Sequence, residues 1–204
     1  MIRELIETRF GVSVSVSTVS NILKRLGMSV QRPRLRAYEQ DPEAVKQWLE
    51  ECWPAIQKEA KEVGARVFFG DEANMRSDYH KGTTWGLKGE TPVVEKTGRR
   101  FSINMISAIS PRGELRFMLT EERVNAGVFI AFLKRLIHGA EQPVFLVLDG
   151  HPVHRSKAVR SFVESTDGKL KIFLLPGYSP ELNPDELVWH YLKRHRLAKA
   201  MVET

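Results

Sequence analysis

Three acidic residues stand where their surroundings ask for chemistry. Asp71 closes the run Val67-Phe68-Phe69-Gly70 and Asp149 closes Val144-Phe145-Leu146-Val147-Leu148, so each carboxylate ends an apolar, β-favouring segment. A carboxylate at the end of a buried strand is costly to desolvate unless it is paired or metal-bound. Where two such strands lie side by side and parallel, their Asp side chains reach the same sheet edge, and like charges that close need a cation between them. The third acid is Glu186. The apolar run Ile172 to Leu175 stops at Pro176 and Gly177, and Asn183 followed by Pro184 has the chemistry of an N-cap and a first helical position. Glu186 then falls on the first helical turn. It could be a third ligand, or it could complete a capping box by reaching back to the Asn183 N–H.

The elements that must carry these acids follow from periodicity and punctuation. A strand over 67–72 leads into a polar stretch with short strands around Trp85 and Val93. Residues 101–109 alternate as a strand does, and Pro111-Arg112-Gly113 turns into a strand over 114–119. A helix over 125–138 buries Val128, Phe129, Phe132, Leu133 and Leu136; strand 143–149, helix 153–165, strand 170–175 and helix 184–197 complete the chain. Three strands that can meander, followed by α/β alternation, is the order of a ribonuclease H-like α/β fold with a mixed five-stranded sheet. In that fold the first and fourth strands are parallel neighbours, which brings Asp71 beside Asp149.

The contexts Phe68 to Ala73, Phe145 to Ser156 and Leu174 to Trp189 resemble the D-D-E transposases of the Tc/mariner superfamily, specifically the bacterial insertion-sequence-630 branch. The third context is the most specific, matching the family signature at Tyr178, Ser179, Pro180, Leu182, Asn183, Pro184, Glu186 and Trp189. The segment Thr84 to Val94 resembles a further family feature. The resemblance implies a transposase that cuts element ends and joins the 3′-hydroxyl to target DNA, with Asp71, Asp149 and Glu186 as catalytic metal ligands. It also selects Glu186 over Asp185, which occupies a variable position of the signature. The implied cofactors are two Mg²⁺ or Mn²⁺ ions per site, because hard cations about 3.5–4 Å apart can activate the nucleophile and steady the leaving oxygen. Asp71 would bridge both ions, with Asp149 on one and Glu186 on the other. The partners implied are transposon terminal inverted repeats and target DNA, with a homodimer open. A ribonuclease H-like nuclease without strand transfer, or a silent DNA-binding remnant, are the alternatives.

Neighbouring residues compete for roles. On a strand, Glu72 points opposite to Asp71. Asp185 is about 100° from Glu186 around the helix and faces the helix dipole. His151 and His154 follow Asp149 at metal-pair spacing, yet a helix start accounts for them as cap and loop contacts. Through the resemblance, His154 and Arg155 match positions expected to touch phosphate. Lys96, Arg99 and Arg100 could do the same, or be simply solvated.

The chain before this domain has a different character. Residues 1–28 read as a helix, a Gly-containing turn and a Ser-capped second helix, the outline of a helix-turn-helix or of a generic helical hairpin. The resemblance favours the first, with Ser17, Thr18, Lys24 and Arg25 facing DNA. Two helices bury little, so a further module upstream is expected, and the family continues after residue 204. Residues 29–40 form a basic linker whose Arg32, Arg34 and Arg36 could track a DNA groove. A helical connection over 41–64, capped by Asp41 and interrupted at Pro54, precedes the catalytic domain over 65–204.

Composition agrees with this outline. The 204 residues carry a net charge of +6, which favours a polyanionic partner. One cysteine, Cys52, permits neither an intramolecular disulfide nor a thiolate metal cage. There is no membrane-length apolar run and no signal-peptide pattern, so a cytoplasmic, nucleoid-associated protein is expected.

Overall fold

A computed structural model describes residues 2–31, 37–76, 88–89, 93 and 102–193. The chain divides into two compact units, 1–37 and 38–204. In the first, α1 (Ile2–Phe10) and α2 (Val16–Arg25) are joined through Gly11, whose φ of 66° lies in the left-handed region. Ser15 caps α2 by accepting the Thr18 N–H, as its position predicts. Val19 is the buried residue of α2, whereas α1 buries none, so this pair has almost no core of its own.

The second unit begins with a helical stretch. Asp41 accepts the N–H groups of Glu43 and Ala44 to start α3 (Pro42–Gln47), which runs through a π-helical turn, Trp48–Cys52, into α4 (Trp53–Glu62). Pro54 has no N–H to give the preceding turn, and the ladder adapts by bonding Trp53 N–H to Trp48 O. The interruption expected at Pro54 is therefore a bulge in a continuous helix.

The sheet contains β1 (Arg66–Arg76), β2 (Ser102–Ile109), β3 (Leu115–Thr120), β4 (Val144–Leu148) and β5 (Leu170–Leu174), in the order β3-β2-β1-β4-β5. β1, β2 and β3 form an antiparallel meander, while β1–β4 and β4–β5 pair in parallel. The first and fourth strands are thus parallel neighbours, and the mixed five-stranded architecture matches its expectation. Between the parallel strands lie α5 (Ala126–Ile137), capped by Asn125, and α6 (Lys157–Glu164), capped by Ser156. Helix α6 starts four residues later than its sequence pattern indicates, because His151 to Ser156 form successive turns. Of the short strands expected near Trp85 and Val93, the first lies outside the described residues, and Val93 is in no strand.

Alternation along the central strands divides the core. Phe68, Leu146 and Leu148 face α5 and α6, packing with Phe129, Phe132 and Leu133. Phe69, Phe145 and Val147 face the other way, onto Trp48, Ile56 and Ala60 of the helical stretch. Full burial of such side chains contributes about 1.5–3 kcal/mol each. The last described helix, α7 (Asp185–Tyr191), rests Trp189 on Ala73 of β1 and Met105 of β2. The remainder of the helix expected over 184–197 lies, beyond Lys193, outside the described residues.

Candidate active site at the carboxyl end of the sheet

The register of the two central strands sets two of the acids. Phe69 of β1 lies opposite Val147 of β4; two residues further along the chain, Asp71 is still within β1, which runs on to Arg76 beside β2, and Asp149 comes just past the end of β4. Gly70 permits this close approach. A Cβ there would lie 2.9 Å from Leu148 Cδ2, 3.1 Å from Ser107 O and 3.2 Å from Leu146 Cδ1.

The third acid is brought in by the segment after β5. Leu175 N–H bonds Leu148 O, prolonging the strand pairing before Pro176 and Gly177 turn the chain. A 3-10 turn, Pro180–Leu182, leads to Asn183, which is buried and works in two directions. Its Nδ2 donates to Gly70 O at 3.0 Å, and its Oδ1 accepts the Asp185 N–H at 3.1 Å. Asn183 therefore caps the helix as expected while also tying it to β1, beside Asp71. Its own N–H donates to Pro180 O, so Glu186 does not complete a capping box with it. Glu186 instead lines an open cleft of about 600 Å³ together with Asp71, Asp149, His151, Arg155 and the Leu175–Pro180 turn.

The cleft charges itself unfavourably. Burial and the neighbouring Glu186 carboxylate push the Asp71 carboxyl up to about 7, against one hydrogen bond from the Glu72 N–H. The opposite holds for Asp149, which is lowered by hydrogen bonding to His154 in spite of partial burial; the His151 N–H adds to this effect. Asp71, Asp149 and Glu186 line one open cleft, not a closed cage. Among the described residues, the three ligating side chains whose atoms all lie within 4.8 Å of one another are Glu72, Asp149 and His154. That trio cannot chelate a single ion through the imidazole as placed. Nδ1 faces Asp149 Oδ1 at 3.0 Å, while Nε2, on the far side of the ring, faces Glu72 Oε1 at 2.7 Å.

Several expected roles need correction. His154 is 3% exposed and its ring lies 4.6 Å from that of Phe129, so it presents no surface to a DNA phosphate. Burial alone would lower its pKa, but hydrogen bonds to Asp149 and Glu72 outweigh it and carry the group up to about 10. Glu72 does turn away from Asp71, yet it belongs to the surroundings of Asp149 through His154. Asp185, expected to act through the exposed helix dipole, is 0% exposed and accepts the Ser107 hydroxyl at 2.6 Å. Its Oδ1 and the Trp189 Nε1 are buried without a hydrogen-bond partner among the described residues. Burial pushes the Asp185 carboxyl up to about 6 against the pull of Ser107, with Glu186 adding to the rise.

One contributor had no sequence signal. Gln40, assigned by composition to the basic linker, is buried in the second unit and donates through Nε2 to Tyr178 O and Glu181 Oε1, with Ser179 Oγ 3.2 Å away. It fastens the turn in which Tyr178 holds a φ of 54°. Arg155 is exposed at the cleft rim, its Nη2 lying against Gly150. In the first unit Ser17 and Thr18 are exposed and share hydrogen bonds with the capping Ser15, while Lys24 and Arg25 occupy the last turn of α2. Arg32, Arg34, Arg36, Lys96, Arg99 and Arg100, and most of the Thr84 to Val94 segment, lie outside the described residues.

The family model of the DDE superfamily endonuclease matches residues 66–204, more than half of the chain, and the winged helix-turn-helix model matches residues 1–52. No curated protein matches significantly. Among solved structures, the Mos1 strand transfer complex aligns over 100% of this chain and 62% of its own, at 19% identity and a TM-score of 0.68. The Mos1 mariner paired end complex with Mn aligns over 100% and 63%, at 19% identity and a TM-score of 0.69. The catalytic domain of Mos1 mariner transposase aligns over 85% and 79%, at 16% identity and a TM-score of 0.54. These likenesses are of fold, and the chain spans less than two thirds of the Mos1 chain in the two complexes. Among the described residues, no helix is long and apolar enough to cross a membrane.

Proposed function

Because the chain belongs to the DDE superfamily endonucleases, we propose that it is a Tc/mariner-type DNA transposase, of the branch its Tyr178 to Trp189 signature resembles, with Asp71, Asp149 and Glu186 as the catalytic metal ligands. The observation that carries this reading is the convergence of these three acids on one cleft in which the Asp71 charge is opposed by burial and by Glu186. Three carboxylates on such a cleft fit a hard divalent cation, Mg²⁺ or Mn²⁺. When bound, two such ions would activate water or a 3′-hydroxyl and neutralise the departing oxygen of the phosphodiester.

The chain's own residues prepare that step. Asp71, central on the sheet, is the candidate to serve both ions, with Asp149 and Glu186 serving one each. Asn183 and Asp185 hold the helix start against Gly70 and Ser107, and so aim Glu186 at the cleft. Arg155 at the rim is placed to receive a phosphate of the cleaved strand. Backbone contacts from Ser17, Thr18, Lys24, Arg25, Arg32, Arg34, Arg36, Arg99 and Arg100 would supply salt-dependent affinity for the terminal inverted repeats and for target DNA. Two copies acting on two ends, a homodimer, belong to the same proposal.

The test uses the DNA that flanks this coding sequence, intact and pre-nicked, with and without Mn²⁺. Cleavage at the element boundary followed by joining of the pre-nicked 3′-end to a plasmid is expected. Cleavage without joining would make the protein a nuclease, and retention of DNA without either would make it a binding remnant.

A further inference from the structure

We propose that His154 is a positioning residue that sets the orientation of Asp149, a role that rests on the metal-dependent reading above. Its imidazole connects the middle of β1 to the residue that follows β4. Nε2 lies 2.7 Å from Glu72 Oε1 on β1, and Nδ1 lies 3.0 Å from Asp149 Oδ1 and 3.2 Å from Asp149 O, just past β4. The ring cannot swing away, because it is buried against Phe129 of α5 and the His154 N–H is held by His151 O.

The consequence for Asp149 is specific to one oxygen. Oδ1 receives both the His154 ring and the His151 N–H at 3.0 Å, so its lone pairs are committed to the protein. Oδ2 is then the oxygen left to serve the cleft that Asp149 shares with Asp71 and Glu186. Without that clamp Asp149, whose side chain is 54% exposed, would rotate freely about its side-chain torsions. Glu72 fixes the far side of the ring, which gives a carboxylate outside the cleft a reason to follow Asp71 directly in the chain. The arrangement is the outer-shell partnership usual around metal-binding side chains, with the ligand a carboxylate and the partner a histidine.

The experiment is Mn²⁺ titration by calorimetry, with thermal melting alongside, on the wild-type chain and on His154→Ala, His154→Asn, His154→Gln and Asp71→Asn. His154→Ala is expected to bind Mn²⁺ about 10–100-fold more weakly. His154→Asn can place its amide nitrogen where Nδ1 stands, so it should keep more of the affinity than His154→Gln, which reaches toward Glu72 instead. A purely structural His154 would lower the melting temperature and leave Mn²⁺ affinity alone. Affinity within twofold of wild type in His154→Ala overturns the proposal; if that variant does not fold, wild-type affinity in both amide variants does so. Should the wild-type chain bind no Mn²⁺, or bind it equally well after Asp71→Asn, the metal reading fails and the role of His154 fails with it. Loss of binding in Asp71→Asn with unaltered His154 variants would remove the positioning role alone.

Discussion

Asp71 and Glu72 are consecutive on β1, and strand alternation sends one carboxylate into the cleft and the other to the α5 side of the sheet. Glu72 meets the buried His154 ring. Asp71 meets the charge of Glu186 and loses solvent, and its pKa rises to about 7. The same functional group at adjacent positions is thus satisfied on one face of the sheet and left in want of a cation on the other. The difference separates a carboxylate that builds the site from one that would use it, since a protein gains nothing structural from crowding like charges at a cleft.

Replacing the two in turn is the strongest way to break this contrast. Asp71→Asn is expected to lower Mn²⁺-dependent cleavage by about 10²–10³-fold, the scale of losing an electrostatic contributor to a transition state, while the fold is kept or made more stable at pH 8. Glu72→Gln should preserve the fold and lose less activity. Equal losses in the two variants, measured as initial cleavage rates at saturating Mn²⁺, would erase the distinction.

A smaller effect is expected where β1 meets β4. Gly70→Ala places a methyl group 2.9 Å from Leu148 Cδ2, so overpacking should cost about 1–3 kcal/mol, read from denaturant melts. Cleavage should fall as well, because the strain separates the two strands that hold Asp71 and Asp149. Asp185→Ala should cost about 1–3 kcal/mol by leaving the buried Ser107 hydroxyl without its acceptor. Asp185→Asn, able to accept the same bond, should lose far less activity than any change at Glu186.

A pH dependence sharpens the contrast between the cleft and the clamp. The Asp71 pKa is raised from 3.8 to about 7 in the folded chain, so the folded form holds a proton that the unfolded form releases. Metal-free stability should therefore fall as pH rises from about 4 through 7. Asp185, raised to about 6, adds in the same direction. For His154, raised from 6.5 to about 10, the favourable contribution is complete below about 6.5 and is lost as pH rises toward 10. Melting against pH should show Asp71→Asn flattening the first limb and leaving the second. Added Mn²⁺ should stabilise the wild-type chain more at pH 8 than at pH 5, because protons compete for the same oxygens.

What could be read from the chain, and what could not, divides along sequence distance. Asp71 and Asp149 were legible because each ends a short apolar run, and buried parallel strands leave few other ways to place it. The helix start at Asn183 and Pro184 was legible for a similarly local reason. The Glu72–His154 contact joins residues far apart in sequence, and each alone has an ordinary explanation, as strand alternation or loop contact. Asp185 misled because helix-dipole reasoning considers the helix by itself, whereas this carboxylate is buried against β2, where Ser107 donates to it. Gln40 carries no pattern at all; its role exists only once the Tyr178–Glu181 turn has folded back onto it.

Glu186→Gln, assayed for Mn²⁺-dependent DNA cleavage beside a thermal melt, tests the central claim most directly. Gln keeps the side-chain size at an exposed position where no capping bond to Asn183 depends on it, and removes only the anionic oxygens that a hard cation prefers. The expected result is loss of cleavage to background with the melting temperature within a few degrees of wild type. Cleavage near the wild-type rate would contradict the account, because it would mean that the cleft does not use its third acid.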